Sequence, residues 1–250
     1  MKRLELIGID GLGEIRAGDS VGDLICNTCA RRQISLQDND VLVVAQKIIS
    51  KAEGRVRSVD GVTPSARAFE LGRKLSKDPE LVEIILGESR RIVRSGGRAL
   101  IVETHHGFVC ANAGVDQSNV GLKQVTLLPQ DADRSARQLR SAIHQRTGKR
   151  LGVIISDSFG RPWRLGTVDV AIGVAGMAPI KDERGMRDRY GYELKAAVSA
   201  VADELAAAAE LVMGKRDHVP VVLVRGYDVQ TKEDGSAREL LRSDAEDLFR

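Results

Sequence analysis

Leu151-Gly152-Val153-Ile154-Ile155, followed by Ser156-Asp157-Ser158-Phe159-Gly160-Arg161-Pro162-Trp163-Arg164, joins an apolar run to a polar, charged one. The stretch from Ser156 to Gly185 contains the only Trp of the chain and two of its six Pro, along with repeated Gly, Arg and Asp. Leu151 to Ile155, coming after a turn at Gly148, reads as a buried strand. Asp157 and Ser158 are therefore expected at the strand's exit, where a rigid element holds a carboxylate and a hydroxyl. Oxygen donors of this kind suit a hard cation such as Mg²⁺ or Mn²⁺. Arg161 and Arg164 are donor forks suited to phosphate or carboxylate oxygens. An ordinary Asp-Ser turn with solvated arginines is the plainer alternative. The coincidence of conformationally special residues with charges favours a binding site.

Working outward, 250 residues suffice for one large domain or two lobes with a real core. Hydrophobic and charged fractions of 42% and 29% are globular values. The net charge of +3, from 38 basic and 35 acidic side chains, shows no basic block, and aromatics make up only 3%. Nucleic acid is thus a poor partner. No apolar run approaches the roughly 18 residues of a membrane span, and the N-terminus lacks a signal peptide's apolar core. These features lead to the expectation of a cytoplasmic protein without a membrane partner. Three cysteines fit a reducing compartment. Cys26 and Cys29 form a single C-x-x-C, half a zinc site or a redox pair, but the remaining sequence offers no matching half. Asp19 is expected to cap a helix that turns Val21, Leu24, Ile25 and Thr28 inward and keeps both thiols near its apolar face.

In chain order, a strand is expected over Leu4 to Ile9, then a tight turn at Gly11-Leu12-Gly13, which lacks the third Gly of a dinucleotide fingerprint. A helix follows over Val21 to Arg32, a turn at Asp38 to Asp40 and a buried strand over Val41 to Ala45. That strand delivers Gln46-Lys47-Ile48-Ile49-Ser50-Lys51, whose two lysines face opposite ways on a strand and the same way on a helix. Pro64 and Pro79 are expected to start helices at their first position, and Arg91 to Val102 to form a hairpin. His105 and His106 read as strand-end residues. Asp116 and Asn119, set among small residues, read as a turn able to offer an acid to a cation and an amide to a base or ribose. Asp131 or Asp133 is expected to cap a helix running to Arg146. The longest helix is expected over Tyr192 to Gly214, its Ala-rich body suited to close packing, including between subunits. His218 to Arg225 reads as a strand and Asp244 to Arg250 as a charged tail. Gly148-Lys149 lacks the rest of a P-loop, and no kinase motif set is present.

Four segments together resemble the coenzyme F420-0:L-glutamate ligases over essentially the whole chain. These are Ile49 to Arg55, Ala111 to Asp116 with Ser118 to Val120, Ser156 to Arg164, and Pro220 to Gly226. The resemblance implies a mixed α/β fold of two interleaved lobes with mixed sheets, neither P-loop nor Rossmann. It implies one ligase-like catalytic unit over residues 1–250, with no lobe boundary visible in the sequence and no fused reductase-like domain, acting as a homodimer. The implied substrates are GTP, L-glutamate and the deazaflavin precursor. The implied ions are two Mg²⁺ or Mn²⁺, with K⁺ as a further candidate. Asp116 and Asp157 match first-metal ligands, and Ser158 a second-metal ligand. Leu12, Gly13, Glu14, Ile15, Gln46, Lys47, Lys51 and Asn119 match positions that hold GTP. So does the segment Met213, Gly214, Lys215, Arg216, Asp217, His218, Val219, Pro220. Arg161 and Arg164 are assigned to the deazaflavin's phosphate or the incoming glutamate, completing a catalytic set with Asp116 and Asp157. The resemblance to the family's archaeal members implies an acid or amide at the position of Lys215, reaching the second metal. A protonated lysine cannot ligate, so either its ammonium takes part of that cation's role or the second metal sits differently. A metal-dependent phosphatase or nucleotide hydrolase and a non-catalytic GTP-binding regulator are the alternatives from other classes.

Overall fold

The structure is a computed structural model that describes residues 2–97, 99–243 and 245–247. The expected charged tail at Asp244 to Arg250 falls largely outside the described residues.

In the order met along the chain, the elements are β1 (Glu5–Ile9), α1 (Val21–Arg31), β2 (Val41–Ala45), α2 (Gln46–Ala52), β3 (Val56–Ser58), α3 (Ala66–Leu75) and α4 (Pro79–Gly87). Then come β4 (Ser89–Gly96), β5 (Ala99–Thr104), β6 (Val109–Ala111), β7 (Gln124–Thr126), α5 (Ala132–Thr147), β8 (Gly152–Arg161) and β9 (Arg164–Ala175). The chain continues through β10 (Lys181–Asp182), β11 (Val198–Ser199), α6 (Val201–Met213) and β12 (Val221–Arg225).

The continuous apolar runs of β2 and β12 can be buried on both faces only inside a layered sheet. The central sheet has the order β1-β12-β2-β8-β9, with β2 and β8 parallel and the other neighbours antiparallel. Helices α5 and α6 pack on β8 and β9, and α1 backs α5. The N-terminus of α5 comes so close to β9 that a Cβ on Gly173 would lie 2.4 Å from the Ala132 carbonyl oxygen. A second, separate apolar core holds Leu71, Leu75, Val82, Ile84, Ile85, Leu100, Val102 and Val125, all from the segment between α2 and α5. This segment builds the small sheets β3-β7 and β4-β5-β6 under α3 and α4. The fold is thus mixed α/β with two cores. Among the described residues, no helix is long and apolar enough to cross a membrane.

Several expectations change on folding. Ser20, not Asp19, caps α1: its Oγ accepts from the Asp23 N–H, while Asp19 Oδ2 is taken by the Arg16 N–H at 2.7 Å, closing the preceding turn. Pro64 lies before α3, whose cap is Ser65, accepting from the Ala68 N–H. Pro79 does open α4, and Asp131 caps α5. The helix expected from Tyr192 begins only at Val201, and the 16-residue α5 exceeds the 13-residue α6. The backbone before Val201 is satisfied across the chain instead of along a helix. Gly185 N–H donates to the Leu194 carbonyl, Leu194 N–H to the Met186 carbonyl, and β11 pairs with β10. The alanine face of α6 (Ala202, Ala206, Ala209) is fully buried in the chain's own core. Cys26, Cys29 and Cys110 are buried free thiols, and burial pushes Cys29 up to about 11.

Candidate active site

The parallel pairing of β2 with β8 sets Ala45 opposite Ser156, so both strands finish their pairing at one end of the sheet. Ligands of open α/β sheets gather beyond the carboxyl ends of such strands. Strand β2 passes directly into α2, which resolves the Gln46–Lys51 ambiguity in favour of a helix with both lysines on one side. The loop Gly214–Pro220 reaches the same end, where the Pro220 carbonyl accepts from the Ala45 N–H at 2.9 Å.

β8 does not stop at Asp157. It runs on to Arg161 and returns as β9, so Asp157 and Ser158 lie within a long antiparallel hairpin, not at a strand exit. Apolar residues on the returning strand keep the pairing going where turn chemistry alone suggested a loop. Because successive strand residues point to opposite faces, the carboxylate and the hydroxyl look in different directions.

On one face, the Asp157 carboxyl meets the fields of Asp116 and Lys47, and Cys110 feels its charge. Asp116 is held by a two-way backbone bridge to Thr126 and accepts the Ser118 N–H at 2.6 Å on Oδ1. Its Oδ2 pairs with Lys47 Nζ at 2.8 Å, and Lys47 also donates to Ser118 Oγ. Burial works against the charge on Asp116, but Lys47 and the Ser118 N–H outweigh it and hold the carboxyl below its ordinary value. Asp157 behaves oppositely. The residue is only partly buried, yet the protein surrounds its carboxyl. That burial, with Asp169 and Asp116 nearby, pushes it up to about 7 against the pull of the Ser158 N–H and Lys47.

On the other face, Asp169 is the cross-strand partner of Ser158 and is 5% exposed. It accepts from Ser156 Oγ at 3.1 Å and from Ser158 Oγ at 2.5 Å. Lys215, just past the end of α6, donates to Ser158 Oγ and lies 3.4 Å from Asp169 and 3.1 Å from Glu210.

Lys51 pairs with Glu14 at 2.6 Å, which brings the Leu12–Ile15 loop against α2. Leu12 and Ile15 are themselves core side chains, so only their backbone is available to a ligand, whereas Glu14 is well exposed. Gly13 takes a positive φ of 81° in that loop. Gln46 is 2% exposed, accepts from Ser50 through Oε1, and leaves a buried Nε2 without a partner among the described residues. Asn119 is exposed with a φ of 59°. Met213 is buried at the end of α6; Gly214, Lys215, Arg216, Asp217 and His218 are exposed, and Val219 and Pro220 are half-buried. Arg161 and Arg164 flank the Pro162–Trp163 turn at the hairpin tip, four and seven residues past Asp157. At a strand's rise of about 3.3 Å per residue, Arg161 stands roughly 13 Å along from the acids. Its Nη2 donates to the Leu165 carbonyl at 2.7 Å. His105 and His106 sit just past β5, their Nε2 atoms on the carbonyls of Gly87 and Gln130.

Asp169 and Glu210 escaped the sequence reading. The signal for Asp169 was available: it is a lone acid inside the apolar run Val168 to Ala175, which in a strand must be either solvated or partnered.

The mixed α/β fold thus gathers three aspartates, Asp116, Asp157 and Asp169, and three lysines, Lys47, Lys51 and Lys215, at the carboxyl end of its parallel strands. The chain belongs to the family described as F420-0:Gamma-glutamyl ligase, whose sequence model matches residues 11–226. It is similar to proteins named coenzyme F420:L-glutamate ligase in Methanothermobacter thermautotrophicus (47% identity, 99% of both chains) and Methanocaldococcus jannaschii (44%, all of this chain and 98% of that one). A third relative of that name, from Archaeoglobus fulgidus, is 43% identical over 99% of this chain and 97% of its own.

Proposed function

We propose that this chain is a ligase that joins L-glutamate through an amide bond to the deazaflavin F420-0, driven by GTP through an acyl phosphate. Family membership and the names of relatives at 43–47% identity support the ligase and its substrates. The observation that carries the mechanism is the meeting of Asp116, Asp157 and Lys47 beside α2 and the Gly214–Pro220 loop.

Amide formation in water is uphill, so the acceptor's carboxylate must be activated. A carboxylate oxygen attacks the γ-phosphorus of GTP and GDP leaves. The glutamate amine then attacks the acyl carbon, phosphate leaves, and a proton is lost from nitrogen. No protein nucleophile is needed. The first step brings two anions together, so fixed positive charge is the main requirement. Lys47 supplies it next to Asp116. Lys51 is held toward the same region by Glu14, whose exposed carboxylate yields to a phosphate at little cost. The buried Gln46 Nε2 offers an unmet donor to a nucleotide acceptor atom.

Asp116 and Asp157 fit a divalent cation. Their oxygens are hard donors, and Asp157, raised first by burial and then by Asp169 and Asp116, is a carboxyl whose charged form a cation would favour. Among the described residues no three His, Cys, Asp or Glu side chains form a ready cage, which suits Mg²⁺ or Mn²⁺ shared with substrate oxygens and water. Asp116 and Asp157 would hold such an ion, which would supply positive charge to offset that of the phosphates. Arg161 and Arg164 are assigned to the deazaflavin phosphate or the glutamate carboxylates. A homodimer belongs to the same reading, with the exposed Trp163 and Leu165 of the hairpin tip as candidate contacts.

The test is incubation with GTP, L-glutamate, Mn²⁺ and the unglutamylated deazaflavin. A product series rising by glutamate masses, with GDP formation dependent on both other substrates, is expected. GDP release independent of them would make the protein a hydrolase instead, and binding without turnover would make it a regulator.

A further inference from the structure

Ser158 lies in the motif that resembles a metal-nucleotide site, but its surroundings do not fit a metal ligand. Its proton goes to Asp169 Oδ1 at 2.5 Å, and its oxygen accepts from Lys215 Nζ. A hydroxyl that ligates a cation must aim a lone pair at it; the Lys215 ammonium takes one of the two on Ser158 Oγ, so a dication drawn to the other would share that oxygen with an ammonium. Lys215 has three N–H groups and three oxygen neighbours, on Ser158, Asp169 and Glu210. Asp169 is nearly closed to solvent, and Ser156 occupies its other oxygen. The two carboxylates and one ammonium leave this cluster at about one negative charge, already tied into hydrogen bonds. A dication at 2.0–2.6 Å from these oxygens would stand beside the ammonium, and the two would repel.

We infer that Lys215 is the resident cation of the Ser158–Asp169–Glu210 cluster, so that this face of the β8–β9 hairpin takes no divalent metal and the chain holds one such ion instead of two. The single ion is the one assigned above to Asp116 and Asp157, and in that respect the inference rests on the proposed function. Lys215 supplies a fixed positive charge where a metal would supply an exchangeable one.

The experiment counts Mn²⁺ bound per chain by equilibrium titration and records the electron paramagnetic resonance spectrum of the loaded protein. The variants are Lys215→Glu, Lys215→Gln and Asp157→Asn, each checked for native circular dichroism. Wild type is expected to bind one Mn²⁺ with an uncoupled spectrum, and Lys215→Glu two with spin–spin coupling. If Lys215→Glu does not fold, Lys215→Gln decides, with a second, weaker Mn²⁺ expected. Two Mn²⁺ bound to wild type, or no second ion in any folded Lys215 variant, overturns the inference. The reading of the first metal fails separately: Asp157→Asn would then keep the wild-type ion, whatever the Lys215 variants do.

Discussion

Asp157→Asn is expected to make the metal-free protein more stable at pH 8 while removing its response to divalent metal. In the folded chain the Asp157 carboxyl is pushed from an ordinary 3.8 up to about 7, first by burial and then by Asp169 and Asp116. A group raised on folding stabilises the fold through its neutral form. That contribution is complete below about pH 4 and is lost as pH climbs through about 7. Moving the carboxyl that far corresponds to roughly 4 kcal/mol in all, of which about 2.5 kcal/mol is lost between pH 5 and pH 8. The open side of the site makes this an upper figure. For a chain of this size, 1 kcal/mol moves the melting temperature by about 2–4 °C, so the advantage of Asn over Asp should grow by up to about 5–10 °C between those pH values. Thermal melts of both proteins in chelator at pH 5 and pH 8 measure this difference of differences, in which titrating groups remote from Asp157 cancel. Adding Mn²⁺ at pH 8 should raise wild type and leave the variant unmoved. A stability gap that does not change with pH, or equal rescue by Mn²⁺, refutes the assignment of a strained carboxylate awaiting a cation. Turnover of Asp157→Asn should fall by at least about 100-fold with the fold kept, since the loss is of charge stabilisation in the transition state.

Lys47→Met removes the partner of Asp116. Because that pair is partly exposed, stability should change by less than about 1 kcal/mol, while glutamate-dependent GDP formation falls more than tenfold; unchanged kinetics would remove Lys47 from the phosphate site. Gly173→Ala places a methyl 2.4 Å from the Ala132 carbonyl oxygen, so α5 must shift from β9 at a cost of about 1–3 kcal/mol; a denaturant midpoint equal to wild type would mean the contact is looser. The three cysteines are buried, with Cys29 pushed up to about 11 and Cys110 to about 12. Iodoacetamide at pH 8 should therefore label the native chain slowly and the urea-unfolded chain threefold, as followed by mass, because reaction requires an exposed thiolate; rapid native labelling of the Cys26 and Cys29 pair would contradict their packing against the core.

Much of the frame is local chemistry and could be read from the sequence. The apolar runs of β2 and β12 declare buried strands and that of β1 a strand, here at the sheet's edge; Pro79 and Asp131 mark helix starts, and Gly214 marks an end. The 3–4 spacing of Leu194 and Val198 imitates a helical stripe, yet long-range pairing with Gly185 and Met186 claims that backbone. Tertiary pairing overrides propensity there, as it does at Ser156 to Arg161, where charge density suggested a turn and β9 completes a hairpin.

Some residue types of the candidate site stand out in the sequence: Asp116, Asp157 and Ser158 are polar groups where packing alone does not ask for them, whereas Lys47 and Lys51 read as readily as a solvated face and are singled out only by the family resemblance. The division of the site does not stand out. Spacing puts Asp157 and Ser158 side by side, whereas the pleat of a strand sends them to opposite faces, one toward Asp116 and Lys47, the other toward Asp169 and Lys215. Asp169 comes from β9, whereas Glu210 and Lys215 belong to the end of α6 and the turn after it, and only the packing of that end against the β8–β9 hairpin brings them to Asp169 and Ser158. The sequence by itself determined which charges the protein carries and which elements carry them; the tertiary structure alone decided which charges face one another, because electrostatic pairing depends on distances in space that no spacing along the chain specifies.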